Sequence, residues 1–303
     1  MKNQKKQRYS ILIIYYYFGE FPDWFQLFFE TLKRNSTIDF LFYTDCDFSY
    51  LTATNVTFKK ISFEDYSNFI SKKLDIDFTP EKAYKLCDTA AFYGKIFENE
   101  IENYDFFGFA DSDLFFGNIR EFYNEEILKS YDVLSTHKNI VSGHFALFRN
   151  NKFNRELGFK IKGWKEKLMS QYCSGLAESF LAEVLFEEQK KINLSPFKLF
   201  KRPLNLYFEE QYTTPFISIP WLDGSINSNQ PENWFYIDGN ITNDRDKDRK
   251  FIYIHFMNFK TSKYRHDGTK APWEGLNKIC FAEAKDLKTG IKINSFGIIP
   301  VEN

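Results

Sequence analysis

Three uninterrupted apolar runs govern what this chain can become. Tyr9 to Tyr17 reads Y-S-I-L-I-I-Y-Y-Y, Asp39 to Tyr43 reads D-F-L-F-Y, and Tyr104 to Ala110 reads Y-D-F-F-G-F-A. None alternates polar with apolar residues, so each suits a strand covered on both faces, as in a parallel sheet. After the first run, Pro22 suits a first helical position, and Phe25, Phe28, Phe29 and Leu32 form a helical stripe. Thr79-Pro80 reads as an N-cap with proline at N1, opening a helix to about Glu100. Further helices are expected at Ile119 to Lys129 and, capped by Ser174, at Leu176 to Glu188. Short strands are expected at Asp132 to Ser135 and His144 to Phe148. Alternating strands and helices predict an α/β fold, a mainly parallel sheet flanked by helices. Beyond Pro196 the pattern weakens, with short strands around Trp234 to Ile237 and Phe251 to Phe256.

The 303 residues suffice for one large domain or two small ones. A net charge of −1 gives no global field to recruit nucleic acid, so none is expected as a partner. The basic residues Lys2, Lys5, Lys6 and Arg8 form either a solvated tail or a weak contact with an anionic membrane surface. No apolar run reaches the roughly 18 residues of a membrane span. The four cysteines, Cys46, Cys87, Cys173 and Cys280, lack metal-type spacing and are expected to be reduced thiols of a cytoplasmic protein. The 36 Phe and 18 Tyr fill a core of rings, with some left to line a sugar- or base-stacking groove.

The third run ends in A-D-S-D-L-F-F-G, with Asp111 and Asp113 two positions apart. In an extended segment they share a face. Carboxylates that close repel unless a cation sits between them or one is protonated. Mg²⁺ or Mn²⁺, with substrate phosphates completing the shell, is the fitting cation. The alternative is a plain turn, which Asp and Ser also favour. In open α/β sheets ligands bind beyond the carboxyl ends of the strands, where Asp45 and Asp111 both fall.

The stretch Y-D-F-F-G-F-A-D-S-D-L-F-F-G-N-I-R resembles the D-x-D segment of GT-A-fold nucleotide-sugar glycosyltransferases. It is most similar to a bacterial family of transferases associated with capsule and lipopolysaccharide synthesis. Tyr15 to Trp24 (Y-Y-Y-F-G-E-F-P-D-W), Phe40 to Asp45 (F-L-F-Y-T-D) and Tyr84 to Gly94 (Y-K-L-C-D-T-A-A-F-Y-G) fit the same family. The resemblance covers the first half of the chain well. It implies a GT-A, Rossmann-like core over residues 1–194, with residues 195–303 as an acceptor-side, C-terminal segment closing the same domain. It implies that Phe18 and Asp45 contact base or ribose, that Lys85 and Asp88 face the donor, and that Ser112 lies against it. Asp111 and Asp113 would hold Mn²⁺ or Mg²⁺ across the diphosphate of a donor, a UDP-sugar being favoured. Lys85 and Asp88, three apart on a helix, equally suit a pair with each other, and Asp45 a turn cap.

Near the C-terminus Y-I-H-F-M-N-F-K (Tyr253 to Lys260) precedes Lys270-Ala271-Pro272-Trp273. This resembles the His-Phe-x-Gly-x-x-Lys-Pro-Trp motif of retaining glycosyltransferases similar to glycogenin. His255 matches the metal-binding histidine; Asn258 stands at the glycine position, and an insertion separates His255 from Pro272-Trp273. The phosphate-binding lysine is then Lys260, Lys263 or Lys270. Ser142-Gly143-His144-Phe145 matches a region that approaches the sugar, with Gly143 permitting close backbone approach and His144 bonding a hydroxyl.

Glu178 and Asp113 are the catalytic candidates. If the product is inverted, a carboxylate must take the acceptor's proton; Glu178 is the first choice and Glu183 the second, against a solvated helix glutamate as the alternative. The expected acceptor is a glycan or glycolipid in surface polysaccharide synthesis, with contact at the inner membrane surface. Two other classes use similar residues: a metal-dependent nucleotidyl- or phosphoryltransferase, and a non-catalytic carbohydrate-binding protein.

Overall fold

The structure, a computed structural model, describes residues 8–194, 204–225 and 230–302. Lys2, Lys5 and Lys6, read above as a basic tail or a membrane contact, lie outside these residues. The strands are β1 (Ile11–Tyr17), β2 (Asp39–Thr44), β3 (Val56–Lys60), β4 (Phe106–Ala110), β5 (Leu114–Phe116), β6 (Val133–Ser135) and β7 (Phe145–Arg149). They continue with β8 (Leu206–Phe208), β9 (Trp234–Ile237), β10 (Asn240–Asn243), β11 (Tyr253–His255), β12 (Ile291–Asn294) and β13 (Gly297–Pro300). Seven form the central sheet, in the order β3-β2-β1-β4-β7-β6-β8. β1 pairs in parallel with β2 and β4, β2 with β3, and β6 with β8; β7 alone runs antiparallel, between β4 and β6. The result is an α/β fold with a mostly parallel central sheet flanked by helices.

The apolar runs explain that placement. In β1, Ile11, Ile13 and Tyr15 enter one core with Phe40 and Phe42, while Leu12 and Ile14 enter a second core with Leu41 and Tyr43. Successive side chains thus point to opposite, equally buried faces. The first face is covered by helix Phe25–Arg34 and by distant residues such as Trp234, Tyr253 and Trp273. The second is covered by helices Phe63–Leu74 and Leu181–Leu194. Tyr15 stacks on Phe42 with ring centroids 4.4 Å apart. Such pairs add to the burial of the rings, about 0.5–1.5 kcal/mol each.

Four local expectations are corrected. The helix expected from Thr79 to Glu100 is a 3₁₀ helix, Ala83–Phe92, followed by one α turn, Tyr93–Ile96. Thr89 Oγ1 donates to Leu86 O at 2.6 Å, a local bond suited to the tighter helix. The helix expected over Ile119 to Lys129 is two pieces, Ile119–Phe122 and Glu125–Ser130, because the Asn124 side chain caps the second by accepting from Glu126 N and Ile127 N. Ser174 caps nothing; its N–H donates to Asp88, and Gly175, at φ 72°, starts a π-helical turn, Leu176–Phe180. Pro22 lies before the first helix, which begins at Phe25.

Two small sheets lie outside the central one. β10-β9-β12-β13 are antiparallel neighbours, and β11 pairs antiparallel with β5, setting His255 opposite Leu114. Among the described residues no helix is long and apolar enough to cross a membrane.

Candidate functional site

Because β1, β2 and β4 are parallel, Phe18, Asp45 and Asp111 emerge at the same rim of the sheet. Asp111 N donates to His144 O at 3.1 Å, holding the end of β4 against the start of β7. Ser112 O accepts from Trp24 Nε1 at 3.0 Å. Phe256 N donates to Asp113 O at 3.1 Å, and the β5–β11 ladder continues from there. These backbone bonds bring two segments some 140 residues apart in sequence to one point. There, ligand atoms of Asp111, Asp113 and His255 all lie within 4.8 Å of one another.

The charges at this point are unequal. Asp113 Oδ2 lies 2.7 Å from Lys260 Nζ, and Oδ1 lies 3.2 Å from His255 Nε2. Although burial opposes it, the Lys260 ammonium holds the Asp113 carboxyl well below the usual carboxylate range. The surrounding protein, and then the Asp113 charge, push Asp111 up. Asp111 still keeps an open surface at the cleft floor, so solvent moderates that rise. Lys260 Nζ also sits 4.8 Å from the centre of the Trp24 ring.

His255 is 2% exposed. Its Nδ1 lies 3.2 Å from Thr214 Oγ1, while its Nε2 faces Asp113 without hydrogen-bond alignment and has no other partner among the described residues. An imidazole that bonds Thr214 through Nδ1–H presents a bare lone pair to a carboxylate, an arrangement that a shared cation relieves. Two acids and a neutral histidine around one point are a donor set suited to Mn²⁺ and compatible with Mg²⁺.

A pocket of about 40 Å³ adjoins the acids, lined among others by Asp111, Gly143, Glu178, Cys87 and Cys173. Gly143 and Glu178 touch: a Cβ on Gly143 would fall 2.4 Å from Glu178 Oε1. Burial pushes the Glu178 carboxyl up, with His137 opposing. Glu183 lies in the first turn of helix Leu181–Leu194, beyond this pocket's lining.

Other expected site residues have different surroundings. His144 is stacked on His255 at 4.3 Å, with its Nε2 at 3.5 Å from Thr214 Oγ1, so it backs the cluster. Burial, then its histidine neighbours, hold its imidazole well below the ordinary range. Lys85 is buried, and its ammonium bonds Asp88 at 2.7 Å, Lys167 O at 2.8 Å and Tyr172 O at 2.7 Å. Those contacts use its three protons. Asp88 also accepts from Ser174 N and Leu176 N. The pair therefore organises the loop leading to Glu178, which is the helix-pair alternative in a stronger form.

Phe18 packs on Tyr66 and Phe63 at 5.2 and 5.5 Å, and Asp45 Oδ1 accepts from Gly19 N at 2.8 Å, where Gly19 adopts φ 101°. Of the three candidate lysines, Lys260 meets the acids. Lys263 lies over the Tyr84 and Tyr264 rings, and Lys270 is exposed. The insertion before Trp273 is a loop held by Arg265, which bonds Asp267, Thr269 and Asn258 O. The loop then returns so that Trp273 stacks on Phe259 at 5.0 Å. Asn258 stands in the helical turn Met257–Lys260 and donates to Pro215 O, so the position has no need of glycine's freedom.

The expectation of four free thiols is corrected. Cys87 and Cys173 form a disulfide across 86 residues, while Cys46 and Cys280 are free and buried. A separation that long carries no sequence signal; the 3₁₀ helix and the loop after Met169 bring the sulfurs together. Thr214, Trp24 and the buried pair His137–Glu210, 3.0 Å apart, are the neighbours that sequence reasoning assigned no role. Thr213-Thr214-Pro215 lies in a segment without periodicity, so only its place in the fold reveals it.

The class that fold and site define is an α/β protein with an acid–histidine–lysine cluster at the carboxyl rim of its sheet. The chain belongs to a family of unknown function, DUF6625, whose model matches residues 13–278. No curated protein matches it. Among solved structures it is similar to the crystal structure of the glycosyltransferase GlyE in Streptococcus pneumoniae TIGR4, with 12% identity and a TM-score of 0.29. That match covers 72% of this chain and 57% of the other. A likeness at that score carries no argument about activity.

Proposed function

We propose that this protein is a metal-dependent glycosyltransferase that moves a sugar from a nucleotide-diphosphate donor, a UDP-sugar being favoured, to a glycan or glycolipid acceptor. The observation that carries the reading is the convergence of Asp111, Asp113 and His255 within 4.8 Å, with Lys260 bonded to Asp113. Asp111, Asp113 and His255 would hold Mn²⁺ or Mg²⁺, which as a Lewis acid supplies charge stabilisation to a departing diphosphate. Lys260 adds a positive charge beside the same phosphates, and its contact with the Trp24 ring keeps the ammonium at the rim. Glu178, against Gly143 and with its carboxyl raised, is suited to take a proton from an acceptor hydroxyl. Surface polysaccharide synthesis on the inner face of the plasma membrane, in the cytoplasm, is the setting this reading implies.

The experiment is a thermal-shift screen of nucleotides and nucleotide-sugars with and without Mn²⁺. The expected result is a rise with one nucleotide diphosphate only when Mn²⁺ is present, about 2.7 kcal/mol of stabilisation at a hundredfold excess over Kd. Release of sugar from that donor without polymerisation would then separate transfer from nucleotidyl chemistry. A protein indifferent to every nucleotide with Mn²⁺ would defeat the proposal.

A further inference from the structure

The Thr214 hydroxyl lies between two imidazoles, 3.2 Å from His255 Nδ1 and 3.5 Å from His144 Nε2. A hydroxyl has one proton and two lone pairs, and that of Thr214 has no other partner among the described residues, so its proton goes to one of these nitrogens and it accepts from the other. With His255 in the neutral form that cation binding requires, the two rings are tied: the nitrogen of one that faces Thr214 carries a proton, and the corresponding nitrogen of the other is bare. The assembly is rigid. Thr214 is 3% exposed, the rings are stacked at 4.3 Å with their planes 28° apart, and His255 N donates to Thr213 O at 2.9 Å. His144 is further fixed edge-on by Tyr253 and His137 at 5.5 and 5.1 Å.

Only one of the two arrangements leaves His255 Nε2 bare toward Asp113. In it, His255 Nδ1–H donates to Thr214, and Thr214 donates to His144 Nε2. In the other, His255 carries its proton on Nε2 and that proton meets Asp113 Oδ1, 3.2 Å away. Nε2 lacks hydrogen-bond alignment with that oxygen. The first arrangement fits that geometry.

We infer that Thr214 is a positioning residue that holds His255 in the tautomer with a bare Nε2, with His144 as the acceptor that completes the chain. This rests on the reading of Asp111, Asp113 and His255 as cation ligands. Partners behind a metal-binding histidine typically change metal affinity about 10–100-fold. The Thr214–His144 pair would exert that control without touching the cation or the donor.

Two measurements test it. Titration with Mn²⁺ alone, followed by the loss of free-ion electron paramagnetic resonance, compares wild type with Thr214→Val and Thr214→Ser. Valine keeps the shape and removes the hydroxyl; the expected result is affinity weakened about 10–100-fold, with serine close to wild type. Nitrogen-15 NMR of the metal-free wild type is expected to show His255 protonated at Nδ1 and bare at Nε2. A protonated Nε2, or a valine variant that binds Mn²⁺ like wild type, overturns the inference. If wild type takes up no Mn²⁺, the cation reading of the acids falls and the metal-free spectra alone decide the role of Thr214. If Thr214→Val does not fold, those same spectra decide.

Discussion

Asp111 and Asp113 sit in one cleft under opposite influences, so their neutralisation is expected to act in opposite directions on the metal-free protein. A carboxyl whose pKa in the folded protein lies above its unfolded value adds stability at low pH and loses it as pH rises through the folded value. Asp111 is of that kind, so Asp111→Asn is expected to stabilise the metal-free protein slightly at neutral pH, by less than about 1 kcal/mol because solvent reaches the group. Asp113 is the reverse. Its stabilisation is present above the unfolded pKa and is lost as pH falls through the depressed folded value. Asp113→Asn is expected to cost about 1–3 kcal/mol, as Lys260 loses its partner. Both variants are expected to lose Mn²⁺-dependent nucleotide binding. Denaturant titration at pH 7 and calorimetric titration read the two effects separately. Glu178→Gln tests a different step: nucleotide affinity unchanged and turnover reduced about 10²-fold or more. A reduced affinity with unchanged turnover would remove Glu178 from proton transfer.

The 3₁₀ helix Ala83–Phe92 joins this site to the rest of the protein, and its two charged residues point inward. Breaking a buried pair by removing one partner leaves an uncompensated charge, at a cost of about 3–5 kcal/mol. Lys85→Met is therefore expected to destabilise the fold by that order in urea, and to loosen the loop that Asp88 holds. The disulfide adds a second tie between the same pieces, so reduction is expected to lower stability by about 2–4 kcal/mol. A melting curve with and without reductant at neutral pH checks this. These elements also mark where sequence was readable. β1, β2 and β4 were plain because strands buried on both faces read as unbroken apolar runs. The 3₁₀ helix was misread because its partners lie far off in sequence, in residues 167–176 and at Gly158, where a Cβ would fall 2.5 Å from Ala91 O. β3 and helix Phe63–Leu74 were missed, although Ser62 with Asp65 is an ordinary cap pair. The acids and His255 were legible from spacing and resemblance; Thr214 and His137 were not, because neither belongs to a periodic or motif-bearing stretch.

At the scale of the whole molecule, the second half of the chain is built into the first. β8 extends the central sheet, and β11 pairs with β5, the strand that follows the two acids. One core contains Ile13, Phe28 and Phe116 together with Trp234, Tyr253, Trp273 and Ile298. Each large ring buries roughly 150–250 Å² of surface. A chain ended at Leu194 would keep β1 to β7 but would expose that face of the sheet and leave β5 without a partner. It is expected to lack a cooperative thermal transition and to have lost near-ultraviolet circular dichroism while keeping much of its far-ultraviolet signal, as packing fails before secondary structure does. It is also expected to lose Mn²⁺ uptake, since His255 and Lys260 lie beyond the cut. The two readouts separate two roles of the C-terminal half. A shortened chain that melted cooperatively yet took up no Mn²⁺ would make residues 195–303 a contributor of ligands on a self-sufficient core, whereas loss of both makes the site inseparable from the packing that forms it.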